Sequence, residues 1–143
     1  MASSFRPTRM TRTVNAIMTR LIRLGIPLGG MTLLTVTGRR SGQLRTTPVV
    51  VGQHDGQRWV LSPYGEVDWV RNLRAAGTAD LTRRRRTETV RATELRVDEA
   101  APLIRETLRT APSFTRRQFS VSADSPTDDL DEAVAHHPVF RLE

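Results

Sequence analysis

From Thr13 to Leu24 the apolar positions Val14, Ile17, Met18, Leu21 and Ile22 recur at three- and four-residue intervals. That is the spacing of an amphipathic helix, and Gly25, Pro27, Gly29 and Gly30 stop it. Beyond this point the period shortens. Met31 to Thr37 and Leu44 to Val51 read as strands rich in β-branched residues. His54-Asp55-Gly56-Gln57 carries a hairpin signal, because Asp-Gly accepts positive φ, and Arg58 to Ser62 is the return strand. Pro63 and Gly65 break it, and Val67 to Ala76 reads as a short helix closed by Gly77, with Val70 and Leu73 facing inward. Thr78 to Thr82 and Thr87 to Val97 form another antiparallel pair, with the four arginines Arg83 to Arg86 at their junction. Asp98 is the expected N-cap of a further helix with Leu103, Ile104 and Leu108 on its apolar side. Ser113 to Val121 fits no single period, and Phe114 and Phe119 are read there as core plugs. Ser125 and Pro126 predict the cap and first residue of a last helix through Ala135, and Pro138 to Leu142 a closing edge strand.

Short strands with hairpin signals, interrupted by a few helices and lacking βαβ alternation, predict a mainly β protein. The expected architecture is a small antiparallel β-barrel with packed helices. Its 143 residues suffice for an arm and helix over 1–30 and a single barrel domain over 31–143. With 38% hydrophobic and 26% charged residues the chain is globular rather than disordered.

The absence of cysteine excludes disulfides, Cys-ligated zinc and thiol catalysis. No apolar run reaches the roughly 18 residues of a membrane span, and no signal-type apolar segment opens the chain, so a cytoplasmic protein is expected. All 22 basic residues are arginine, and the net charge is +7. A basic surface attracts nucleic acid, anionic lipid and anionic cofactors alike. The helix Thr13–Leu24, with Arg12, Arg20 and Arg23 around it, either covers the barrel or makes peripheral contact with the inner face of a membrane. Arg83 to Arg86 reads as a solvated hairpin tip. A nucleic-acid role lacks the aromatic platform for stacked bases, since aromatics are 5% of the residues.

Candidate chemistry concentrates between the first two strands, in Gly38-Arg39-Arg40-Ser41-Gly42-Gln43-Leu44-Arg45. Two glycines bracketing two arginines and a serine permit a sharp turn with outward-pointing N–H groups, an anion-binding concavity. The guanidinium forks of Arg39, Arg40 and Arg45 suit phosphate or carboxylate. The alternative is a solvated Gly/Arg hairpin. His54, His136 and His137 carry no metal spacing, and no metal site is expected. Nucleophile-elbow, Walker and dinucleotide-binding sequences are all missing. The chain reads as a ligand holder: a binding module, or an enzyme whose bound cofactor carries the chemistry.

The segment Leu34 to Val49, with Thr37-Gly38-Arg39-Arg40-Ser41-Gly42-Gln43-Leu44-Arg45-Thr46-Thr47-Pro48 at its heart, resembles the Gly-Arg-Lys-Ser/Thr-Gly-x-x-Arg-x-x-Pro signature of the deazaflavin-dependent nitroreductase family. These are actinobacterial and archaeal oxidoreductases that use coenzyme F420. Ser62-Pro63-Tyr64-Gly65 and Trp69-Val70-Arg71-Asn72-Leu73-Arg74-Ala75 are similar to the family's Ser-x-Gly-Gly and Trp-x-x-Asn-Leu-x-Ala elements, and the ending His137 to Leu142 is typical of its small members.

The resemblance implies a split β-barrel related to flavin-mononucleotide-binding oxidoreductases. It implies that Arg40, Ser41, Gly42 and Arg45 hold the coenzyme's phosphate and acidic tail, and that Thr47, Pro48 and Val49 lie along the deazaflavin ring. Ser62 and Tyr64 would line the groove, Trp69 and Asn72 would shape its far wall, and Tyr64 or water would supply the proton. Trp69 reads equally as helix core. The implied reaction is hydride transfer between F420 and a small or lipophilic acceptor such as a quinone, enone or nitro compound.

Two departures from the family pattern are the arginine at position 40, where lysine is usual, and Pro63-Tyr64 in place of a glycine-rich run. The alternatives are a split barrel binding flavin mononucleotide, a non-catalytic deazaflavin or lipid carrier and, last, a nucleic-acid-binding module.

Overall fold

The computed structural model describes residues 31–111 and 113–143. The helix expected over Thr13–Leu24 and the arm before it lie outside the described residues, as does the side chain of Phe114. Among the described residues there are six strands: β1 (Met31–Thr37), β2 (Leu44–His54), β3 (Gln57–Leu61), β4 (Thr78–Arg83), β5 (Arg86–Glu94) and β6 (Val139–Leu142). They close into an antiparallel barrel in the order β1-β2-β3-β6-β5-β4. Four helical segments accompany them: α1 (Asp68–Ala76), α2 (Val97–Thr110), the single turn α3 (Ser113–Arg116) and α4 (Thr127–Val134).

Alternation along the strands builds two cores. Leu34 and Val36 of β1, Val49 of β2, Val60 of β3, Leu81 of β4, Val90 of β5 and Phe140 and Leu142 of β6 point into the barrel. Trp59, Leu61 and Val139 point the other way, into a second core with Ala101, Ile104 and Leu108 of α2 and Leu130 of α4. Strand β3 is therefore buried on both faces, which is why Trp59-Val60-Leu61 is a continuous apolar run. Trp59 lies flat over Gly52 of the paired strand, where any Cβ would collide with the indole. Its Nε1–H donates to Thr107 Oγ1 at 3.1 Å, tying the barrel wall to α2.

Helix α1 packs on β1, β4 and β5 and closes one end of the barrel with Val70 and Leu73, both fully buried. It ends as its sequence predicts, at Gly77, whose N–H bonds the Leu73 carbonyl at 2.8 Å. Strand directions set the two ends apart. The 38–43 turn follows β1 at the α1 end, whereas the 54–57 and 83–86 tips lie at the opposite end. At that opposite end Arg58 and Glu88, on the two strands flanking β6, form a bidentate pair with both bonds at 2.9 Å.

Three expectations need correction. Strand β6 is no edge: it pairs with β3 on one side and β5 on the other, and its insertion closes the barrel. Helix α2 starts at Val97 with Arg96 at the cap position, so Asp98 and Glu99 lie in the first turn and act on the helix dipole instead. Helix α4 is capped by Pro126, because the Ser125 hydroxyl is engaged by the Ser122 N–H at 2.9 Å.

Candidate functional site

The turn between β1 and β2 is internally bonded. Gly42 N–H donates to the Gly38 carbonyl at 2.9 Å, Gly38 N–H to the Gln43 carbonyl at 2.8 Å, and Gln43 N–H to Ser41 Oγ at 3.2 Å. Gly42 sits at φ 70°, a conformation that costs an L side chain about 1–2 kcal/mol. The sequence suggested a nest of outward N–H groups; those of Gly38, Gly42 and Gln43 are instead spent holding the turn's own shape.

Arg39 is likewise committed. Its backbone N–H donates to Asn72 Oδ1 at 3.1 Å and its guanidinium to the same oxygen at 2.8 Å, with Asp68 Oδ1 3.6 Å away. Asn72 is buried on α1, so this pair clamps the turn to the helix that closes the barrel. Arg40 and Arg45 remain. Both are exposed, and among the described residues neither has an ion-pair partner. Arg40 on the turn and Arg45 at the start of β2 are therefore the guanidinium groups of this segment that stay exposed.

Strand alternation divides the expected ring contacts. Thr47 pairs with Leu34 and faces inward, and Val49 is 7% exposed within the barrel core. Pro48 faces the other way, on the side of Leu44 and Val50. Leu44 is 70% and Val50 51% exposed. Between them Thr46 Oγ1 is satisfied by Thr35 Oγ1 at 2.9 Å. A ligand on the outer wall can touch Leu44, Pro48 and Val50 but not the side chain of Val49, which fills the barrel.

The loop from β3 to α1 lies at the same end. Ser62 is fully buried, and its hydroxyl donates to the Gly65 carbonyl at 2.6 Å. Tyr64, on the crest of that loop, is 38% exposed. Trp69 is half-buried against the barrel core, its ring tilted toward Phe140 at 6.4 Å. Arg74 of α1 forks between Glu66 of the loop and Glu94 of β5, which lowers the Glu66 carboxyl and raises the Arg74 guanidinium. His137 is buried beneath the loop with its pKa lowered, principally by desolvation. Among the described residues no group of side chains could hold a metal ion.

The comparisons with known proteins fit this geometry. The F420H(2)-dependent quinone reductase profile matches residues 7–127. The chain belongs to that family. Its members use coenzyme F420, so the protein is an F420-dependent reductase. Among curated protein sequences nothing matches the chain. Solved structures share the fold. An F420-H2-dependent reductase (FDR-A) is 18% identical with a TM-score of 0.57, over 80% of this chain and 95% of that one. A structure described as a domain-swapped dimer is 18% identical with a TM-score of 0.59, over 94% and 99%. A NimC/NimA family protein from Clostridium acetobutylicum is 13% identical with a TM-score of 0.54, over 79% and 73%. The fold is the split β-barrel of flavin- and F420-binding proteins.

The donor set fits coenzyme F420: two exposed arginines without an ion-pair partner among the described residues suit an anionic coenzyme tail, and the Leu44–Pro48–Val50 stripe suits a flat apolar ring. Sequence reasoning grouped Arg39 and Asn72 with the ligand contacts and read His137 only as a helix-end residue. In the structure Arg39 and Asn72 bond each other across 33 positions and His137 meets Ser62 across 75, separations no local pattern encodes.

Proposed function

We propose that the protein binds F420 by its acidic tail at Arg40 and Arg45, with the ring along the outer wall of β2, and reduces a quinone. The observation that carries the reading is the division of labour in the turn. Arg39 is engaged by Asn72, while its two companions stay exposed without an ion pair among the described residues. Ser41 and Gly42 contribute shape, and Pro48, Leu44 and Trp69 are the candidate apolar contacts.

When bound, the reduced coenzyme supplies a hydride. The chain's own part is to fix the tail electrostatically, to cover one face of the ring with apolar side chains, and to exclude water. Hydride addition to one quinone oxygen leaves a hydroquinone monoanion, which one proton completes; addition at the conjugated carbon leaves an enolate that takes up one proton and then tautomerises to the same hydroquinone. Tyr64 is our candidate donor of that proton, because it is a partly exposed tyrosine on the loop at the same end of the barrel as the turn. The same surface is open to other flat electrophiles, including enones and nitro compounds. Quinone is the acceptor we favour, since it is the one the family is named for.

Titration of coenzyme fluorescence tests the site. Arg40→Glu and Arg45→Glu should each weaken F420 binding at least tenfold, about 1.4 kcal/mol, at modest salt. Flavin mononucleotide, titrated in parallel, should bind more weakly than F420. Wild-type F420 affinity in both variants would put the tail elsewhere.

A further inference from the structure

The loop carrying Tyr64 is held from below by a residue remote in sequence. His137 Nδ1 lies 3.1 Å from the Ser62 carbonyl oxygen. A carbonyl only accepts, so Nδ1 carries the hydrogen. The ring is buried, which favours its neutral form, and it stacks on Phe119 with centroids 4.0 Å apart and planes 28° from parallel. Above it the restraint continues. Ser62 N–H donates to the Pro138 carbonyl at 3.0 Å, and Ser62 Oγ donates to the Gly65 carbonyl at 2.6 Å. The same Gly65 oxygen accepts Val67 N–H at 2.9 Å, where the chain enters α1. A Cβ at Gly65 would stand 3.3 Å from the His136 carbonyl, so the loop rests directly on the 136–137 segment.

We propose that His137 is a positioning residue: stacked on Phe119, it fixes the Ser62 carbonyl and thereby holds Tyr64 at the acceptor side of the site. The inference rests on the functional reading above only for what Tyr64 does; the pinning itself is independent of it. The fold alone does not require this bond, because the Ser62 N–H to Pro138 contact already joins the loop to the start of β6. The histidine adds direction to the Ser62–Pro63 peptide, one residue before Tyr64.

The chain contains one tyrosine, which allows a readout that needs no turnover. Full-length protein labelled with 3-fluorotyrosine gives a single ¹⁹F resonance, from Tyr64. His137→Phe keeps an aromatic ring against Phe119 and removes the donor; His137→Gln removes the ring and retains an N–H donor. In His137→Phe the resonance should shift and broaden, and in His137→Gln it should return toward the wild-type position. With menadione as acceptor, kcat should fall about tenfold in His137→Phe with partial recovery in His137→Gln. F420 affinity should stay within twofold in both, since the turn arginines are untouched.

An unchanged resonance with unchanged kcat in His137→Phe would overturn the proposal. So would equal damage in the two variants in proportion to lost stability, which is the mark of a merely structural residue. If the wild-type protein turns over no quinone, the functional reading fails, and the ¹⁹F comparison still decides whether His137 positions the loop.

Discussion

Asn72 offers the most direct test of how the fold prepares the site. Its Oδ1 accepts both the backbone N–H and the guanidinium of Arg39, at 3.1 and 2.8 Å, from a side chain that is 5% exposed. Asn72→Ala deletes both bonds. A neutral bond contributes about 1 kcal/mol and one to a charged group about 1.5–3. The guanidinium is partly exposed, so the lower end applies, and the loss should be about 2–3 kcal/mol. For a chain of this size that corresponds to a drop in Tm on the order of 10 °C. A second effect should accompany it. Released from α1, the turn must be ordered when ligand binds, and about 1.4 kcal/mol of ordering cost weakens F420 binding tenfold. Differential scanning calorimetry and coenzyme fluorescence titration measure the two effects separately. Asn72→Asp, which keeps the acceptor, serves as the stability control. Wild-type Tm together with wild-type affinity in Asn72→Ala would refute the clamp.

Other predictions follow from single features. Replacing Arg83 to Arg86 with serine should leave F420 affinity within twofold, because the tip lies at the end of the barrel opposite the 38–43 turn; a large loss measured by titration would move the site. Arg84 and Arg85 occupy φ 49° and 64°, so Arg84→Asn with Arg85→Gly should raise Tm by a few degrees in a thermal melt. Burial and the neighbouring His136 lower the pKa of His137 below its ordinary 6.5. Above 6.5 both folded and unfolded forms are neutral; as pH falls below it the unfolded chain takes up the proton first. Stability should therefore decline with acidification from about 6.5 more steeply in the wild type than in His137→Gln, as measured by urea denaturation at a series of pH values.

Local pattern alone determined most elements of this protein. Alternating β-branched residues specified β1 and β2. Asp55-Gly56 set the first tip and Gly77 the end of α1, where Val70 and Leu73 face inward as their spacing requires. The Gly38–Arg45 segment suggested an anion site in the same way, because turn chemistry is written in consecutive residues. Tertiary structure decided which groups remain available for that chemistry. Arg39, Arg40 and Arg45 are alike in sequence. Only the docking of α1 beneath the turn consumes the first and leaves the other two exposed. Thr47, Pro48 and Val49 are neighbours in the chain, yet barrel closure sends Val49 into the core and Pro48 to the outer wall. Ring closure also turned an apparent edge strand into the one that seals the sheet. His137 met Ser62 because β6 inserts between β3 and β5. Each of these outcomes depends on contacts between segments far apart in the chain, set by packing and hydrogen-bond satisfaction across the whole barrel rather than by the preference of any one stretch.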